Sequence, residues 1–261
     1  MANLVKATPR NMLPEIDLIT EVTHNGANLD VALFGRGTYN ANLGKIGKLY
    51  YHSPERSEVS FRPATTAESL SASVQHPNIK SAVLDPSWFQ AGYIVRTSEG
   101  VWFNPPKDSE GNQITDEQIL GQYRNKSKNV GGIWLLPNTG LLGPDGKPIR
   151  DFGFAPYETF GEREQSVEEF AKSGLARALE HTEVTTANYL GSIASKKNYP
   201  LGVLLWGFEP TNAPCLRVAS LYSDWDSDGG GLSVDGDGWN GYSDGYAFGV
   251  RESGEASAQK I

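Results

Sequence analysis

The sequence predicts an α+β protein of short antiparallel strands, two or three helices and long loops, and three observations support that class. Gly (29) and Pro (15) are abundant and aromatics make up 10%, while the hydrophobic fraction is only 38%, a balance that favours short elements joined by turns over a helical bundle. Short bursts of alternating apolar and polar residues fill much of the first 62 residues. Three stretches carry a hydroxyl residue followed three positions later by Glu or Gln, the pattern of a helix start.

The alternating bursts include "VALFG" and "GKLYYHS", and Asn-Gly in "HNGAN" supplies hairpin turn chemistry, so residues 4 to 62 read as strands. The helix starts are Thr65 with Glu68, Thr115 with Gln118, and Ser166 with Glu169. After Ser166, Val167, Phe170, Ala171, Leu175, Ala178 and Leu179 fall on one face of a single helix of about four turns. That face must rest on a sheet. "GGIWLLPNTGLLGPDGKPIRDFGFAPY" reads as strand, Pro-Asp-Gly turn and strand. "PLGVLLWGFEP" and "LRVASLY" are the most apolar short runs and read as central strands.

At 261 residues the chain fits one large domain, residues 1–251 with an N-terminal elaboration, followed by a tail, 252–261, whose composition predicts disorder. A net charge of −8 argues against a nucleic-acid partner, because that affinity rests on Lys and Arg neutralising phosphates. No run approaches the roughly 18 apolar residues of a membrane span, and the N-terminus lacks the basic start and apolar stretch of a secretion signal. Direct membrane insertion is therefore not expected, and surface display would use another route. One cysteine, Cys215, forbids an internal disulfide and is expected to be a buried small apolar residue.

Enzymatic signals are sparse. His24, His52, His76 and His181 are scattered without metal-ligand spacing, and no nucleophile elbow, P-loop or dinucleotide fingerprint occurs. A glycosidase would need a carboxylate buried enough to act as an acid, and aspartates on glycine-rich loops are poorly placed for that.

The most unusual stretch is "SDWDSDGGGLSVDGDGWNGYSDGYAFGVR", residues 223 to 251. Asp224, Asp226, Asp228, Gly229 and Asp235 match the register of an EF-hand calcium loop, although apolar strand on one side and Gly230-Gly231 on the other replace the flanking helices. A calcium-binding lectin or calcium-stabilised structural module using the Asp224–Asp235 loop is thus one reading. Composition supports a second. Of the 25 residues from Tyr222 to Tyr246, 21 are Tyr, Ser, Asp, Gly or Asn, with no Lys, Arg, Glu, Thr, Ala or Pro, and metal binding does not require that bias. Tyr, Ser, Gly and Asn dominate adaptable binding surfaces, since Tyr offers area at little rotamer entropy and the small residues offer hydrogen bonds and backbone freedom. From Leu232 to Asp235 the pattern alternates strictly, so a strand there would bury Leu232 and Val234 and show Ser233 and Asp235.

The C-terminal third, from about Ser166 to Arg251, resembles the variable proteins of diversity-generating retroelements, above all their archaeal (nanoarchaeal) branch. The resemblance rests on the Trp and Gly landmarks of residues 219–251 and the short apolar strand that closes them, whose run Phe248-Gly249-Val250-Arg251 departs from the Gly-Phe-Arg on which bacterial members often close. It implies a C-type-lectin-like fold and a hypervariable region in which Asn codons become Tyr, Asp, Ser or Gly by adenine replacement. It also implies that Trp225, Leu232, Val234, Trp239 and Phe248 to Arg251 are framework. The ligand-binding set would be Tyr222, Asp224, Asp226, Ser227, Asp228, Ser233, Asp235, Tyr242, Ser243, Asp244 and Tyr246. The function implied is non-catalytic binding of a protein or glycan, with neither metal nor cofactor. A related branch of that fold carries formylglycine-generating chemistry on paired cysteines, which one cysteine cannot supply.

Overall fold

In the computed structural model, the described residues are 8–9, 20–47, 49–52, 58–75, 89–136, 140–195, 202–224, 231–238 and 245–252. The strands are β1 (Thr8–Pro9), β2 (Thr20–His24), β3 (Ala27–Gly37), β4 (Leu49–His52), β5 (Glu58–Ser60), β6 (Arg62–Pro63), β7 (Phe89–Arg96) and β8 (Gly100–Phe103). They continue with β9 (Lys128–Val130), β10 (Ile133–Leu135), β11 (Gly153–Pro156), β12 (Glu164–Gln165), β13 (Val203–Trp206), β14 (Cys215–Asp224), β15 (Gly231–Gly238) and β16 (Gly245–Glu252). Helices are α1 (Tyr39–Ile46), α2 (Thr66–Gln75), α3 (Glu117–Arg124), α4 (Val167–Lys172), α5 (Gly174–Leu179) and α6 (Asn188–Ser195). The protein is therefore mixed α+β, with six α-helices among the described residues rather than two or three.

One open sheet dominates, in the order β12-β13-β15-β14-β7-β8-β11-β10-β9. Its pairs are antiparallel except β13 with β15 and the contact of Tyr246 with Phe89, where β16 meets β7. Through that contact β16 brings in β3, β2 and β6, while β1, β4 and β5 form a separate small sheet. β16 pairs with β3 from Gly245 opposite Gly37 to Glu252 opposite Leu29, so the C-terminal strand is closed against an N-terminal one. Arg251 seals that pairing by donating from Nε to Asp30 at 2.7 Å.

Local chemistry explains most elements. β2 and β3 join through Asn25 and Gly26 at φ 48° and 80°, the backbone that a two-residue hairpin turn requires. Thr65 and Glu68 form reciprocal bonds at the start of α2, as do Ser166 and Glu169 at α4. The start of α3 is capped one residue later than the sequence suggests: the carboxylate of Asp116, not the hydroxyl of Thr115, accepts from Gln118 and Ile119 N–H. An anionic acceptor bonds amides more strongly than a neutral hydroxyl. α1 was not foreseen in the strand-like reading of residues 4–62. Thr38 caps it by accepting from Ala41 N–H, but without Glu or Gln three residues on the start left no box pattern.

The helix expected after Ser166 is two. Ser173, at φ −64° and ψ 153°, ends α4 and caps α5 by accepting from Ala176 N–H. Its apolar face survives the break, because Phe170, Leu175, Ala178 and Leu179 are all buried in one core. That core lies between α2, α4, α5 and α6 and the inner faces of β7, β14 and β15, including Phe89, Leu221, Leu232 and Val234. "PLGVLLWGFEP" and "LRVASLY" supply β13 and β14; β14 is interior, whereas β13 stands one strand from the edge. Cys215 is half-buried rather than enclosed. The tail from residue 253 lies outside the described residues, and among those described no helix is long and apolar enough to cross a membrane.

Candidate functional site

β14, β15 and β16 carry the ends of the two polar segments 225–230 and 239–244. A single row of paired residues crosses the sheet near three of those four ends: Tyr246 beside Phe89, Phe89 beside Leu221, Leu221 beside Val234, and Val234 beside Leu205, while the fourth end, Gly238, stands opposite Val218, four residues farther along β15. Segment 225–230 joins β14 to β15 just beyond this row, and segment 239–244 re-enters at Gly245 next to it. With strands about 4.8 Å apart, the β14 and β16 anchors are roughly 10 Å from each other.

The anchors are rigid for identifiable reasons. Phe89, Leu221, Leu232, Val234 and Phe248 are buried on the helix-facing side, and the Phe89 and Phe248 rings meet edge to face at 5.1 Å between centroids. Gly245 is held by Asn42, whose Nδ2 donates to the Gly245 carbonyl at 2.9 Å and to Gln90 Oε1 at 3.2 Å. Asn42 and Gln90 were not recognised from sequence, since a lone amide in a polar stretch gives no local signal of a contact 203 residues away.

Trp225, Asp226, Ser227, Asp228, Trp239, Tyr242, Ser243 and Asp244 lie outside the described residues, as does the side chain of Asp224. The remaining candidates require correction. Ser233 and Asp235 do point away from Leu232 and Val234, together with Gln90, Ser220 and Tyr222, as pairing and strand alternation demand. That face is nevertheless covered: Ser233 is 0% exposed and Asp235 7%. Part of the cover is the turn after β13, where Gly207, at φ 66°, packs so tightly that a β-carbon would stand 2.4 Å from Asp237 and 3.0 Å from the Asp235 carboxylate. Tyr222 and Tyr246 are half-buried rather than exposed. The Tyr246 ring occupies the space a side chain at residue 35 would need, 2.4 Å from a β-carbon built on Gly35.

These positions also constrain the calcium reading. Asp224 pairs with Gly231, whereas Asp235 stands opposite Ser220, four residues farther along the hairpin. That is about 13 Å along a strand, too far for both carboxylates to reach one ion at the ~2.4 Å ligand distance of calcium. The acidic ligand at the twelfth position of the EF-hand register is therefore unavailable. Among the described residues, no three His, Cys, Asp or Glu side chains gather as a metal site.

At the far end of β15 a charged network ties loops to the sheet. Asp237 accepts from Arg96 Nη1 at 2.9 Å and Arg217 Nε at 2.8 Å, and Arg96 Nη2 donates to the Glu209 carbonyl at 2.8 Å. Tyr157 donates to carbonyls of Thr97 and Glu209, each at 3.1 Å. Burial pushes the Asp235 carboxyl above the usual carboxylate range, and neighbouring Asp237 adds to the rise against the Asp237 N–H that Asp235 accepts. Every partner in this network is internal, so it acts as a clamp.

Ser233 offers a direct check of its structural role. Its hydroxyl is buried without a hydrogen-bond partner among the described residues. Ser233→Ala removes a desolvated polar group and is expected to raise unfolding free energy by about 1 kcal/mol, read from urea denaturation. A loss of stability would show that the hydroxyl is satisfied.

Comparison with protein-family models, curated proteins and solved structures returned no match.

Proposed function

We propose that this protein binds a protein or glycan partner, without catalysis, through segments 225–230 and 239–244 presented by β14, β15 and β16 on a C-type-lectin-like scaffold. The observation that carries this reading is a partition of residues 222–246. Leu232 and Val234 are 0% exposed and fix the strands, whereas the residues between the strands are almost all small, acidic or tyrosine. A sequence free to vary in its loops while its apolar strand positions stay buried has the properties of a diversified surface.

Asp226, Ser227, Asp228, Tyr242, Ser243 and Asp244 are the proposed contacts, with Asp224 and Tyr222 at their margin. Ser233, Asp235 and Tyr246 support the surface from beneath. Tyrosine supplies contact area, and the acidic groups disfavour acidic partners such as nucleic acid.

The test is a library randomised at residues 226–228 and 242–244. Most members are expected to unfold cooperatively with Tm within about 4 °C of the parent, the shift a 1 kcal/mol surface change gives at this size, and selection should yield binders to unrelated proteins. General unfolding of the library would sink the proposal. Millimolar calcium should leave the parent's Tm unchanged; a rise of several degrees reversed by chelator would support the calcium-stabilised alternative instead. At the gene level, retroelement diversification requires a near-copy of the 3′ coding segment that differs mainly at adenines, near a reverse transcriptase gene.

A further inference from the structure

A second concavity lies away from the loops. A cleft of about 450 Å³ opens between β6, β7, the end of β16 and the turns at residues 104–107 and 143–150. That volume falls within the range of small-molecule sites, roughly 300–1,000 Å³. Val250 and Arg251, which line it, are four and five residues along β16 from Tyr246, about 15 Å away. It is thus independent of the surface proposed above.

Three features specify what fits. The first is charge: Arg62, Lys107, Lys147, Arg150 and Arg251 line the cleft against one acid, Asp145, in a chain whose net charge is −8. Arg62 is fixed by Glu68, through Nη1 at 2.7 Å and Nη2 at 2.6 Å, and Arg251 by Asp30. Among the described residues, the ammonium groups of Lys107 and Lys147 have no ion-pair partner.

The second is an apolar wall. Tyr93 meets Tyr39 edge to face at 4.9 Å, and both line the cleft with Pro105, Pro106 and Pro148. Rings and prolines in that arrangement accommodate a planar body. The third is an orphan acceptor: Gln113 lines the same cleft, and its Oε1 is buried with no hydrogen-bond partner among the described residues. A ligand hydroxyl or N–H would satisfy it.

We infer that the cleft is a binding site for a small organic anion carrying a planar ring and a hydrogen-bond donor, with Lys107 and Lys147 meeting the anion and Gln113 accepting from the donor. Long-range attraction draws the anion to the basic rim, the rings bury its body, and the Gln113 carbonyl selects for the donor.

The test uses 4-hydroxybenzoate as probe in a two-dimensional amide NMR titration of the full chain. Saturable shifts are expected at Gly92, Gln113 and Gly143, with affinity at least about tenfold weaker for neutral 4-hydroxybenzamide and several-fold weaker for benzoate, which lacks the donor. The double substitution Lys107→Gln and Lys147→Gln should weaken 4-hydroxybenzoate by about tenfold with Tm unchanged, since both ammonium groups lack partners to lose. The inference is overturned by absence of cleft shifts at 10 mM probe (about tenfold above a 1 mM Kd), by equal affinity for the three probes, or by undiminished binding in the double variant.

Discussion

Phe248→Ala is expected to lower unfolding free energy by about 3–5 kcal/mol, the range for deleting a buried phenylalanine side chain. Phe248 is 2% exposed and belongs to the core that β7, β14 and β15 share with the helices. It packs against Phe89 beside the residue pair, Tyr246 with Phe89, that joins β16 to β7 among the described residues. The cavity would therefore open at that junction. Since a typical domain has only about 5–15 kcal/mol of stability in total, the loss should also raise amide exchange throughout β16 and β3. Phe248→Leu, which keeps most of the volume, should cost about 1.5 kcal/mol or less. Equal costs for the two variants, in urea denaturation, would show that packing at this position does not hold the junction.

Glu180 gives the second large effect. It is 4% exposed, at the end of α5, and its carboxylate accepts from Asn188 N–H at 2.8 Å and Leu190 N–H at 2.5 Å, capping α6 from outside that helix. Burial pushes its pKa up to about 7 from 4.5, and the amides of Leu190, Asn188 and Tyr189 only partly oppose that rise. A raised folded-state pKa means that the native protein holds the proton more tightly than the unfolded chain. The resulting stability is fully present below about 4.5 and is lost as pH rises through about 7. Its full size corresponds to roughly 3 kcal/mol.

Stability should therefore fall between pH 5 and pH 8, against the usual behaviour of carboxylates, and Glu180→Gln, which cannot ionise, should flatten that slope. An unchanged slope in the variant would assign the pH dependence elsewhere. Glu68 works in the opposite sense and in a lower window. Burial would raise its pKa, but the Arg62 hydrogen bonds and charge and the Thr65 N–H outweigh burial and hold it below the ordinary value. Its contribution is present above the unfolded value and disappears as pH falls through the lowered folded one.

Several elements were legible because their determinants are adjacent in the chain. The Asn25-Gly26 turn, the boxes at Thr65 and Ser166, and the inward positions of Leu232 and Val234 each follow from residues within a few positions of one another. The break at Ser173 was hidden by the continuous apolar face of Phe170, Leu175 and Leu179, since facing periodicity does not report backbone continuity. At α3, Thr115 matched the box pattern and Asp116 won by making charge-assisted bonds to two amides. The basic cleft had no sequence signature, because its cations are spread from Arg62 to Arg251.

By itself the sequence determined the α+β class, the hairpin turn, two helix starts and which residues of β15 share a face. Tertiary structure alone decided the strand order and whether the polar face of β15 meets water. The division has one physical cause. Alternation and capping are set by bond geometry over a few residues, whereas burial of Ser233 and Asp235 depends on chain that returns from elsewhere, such as the turn at Gly207.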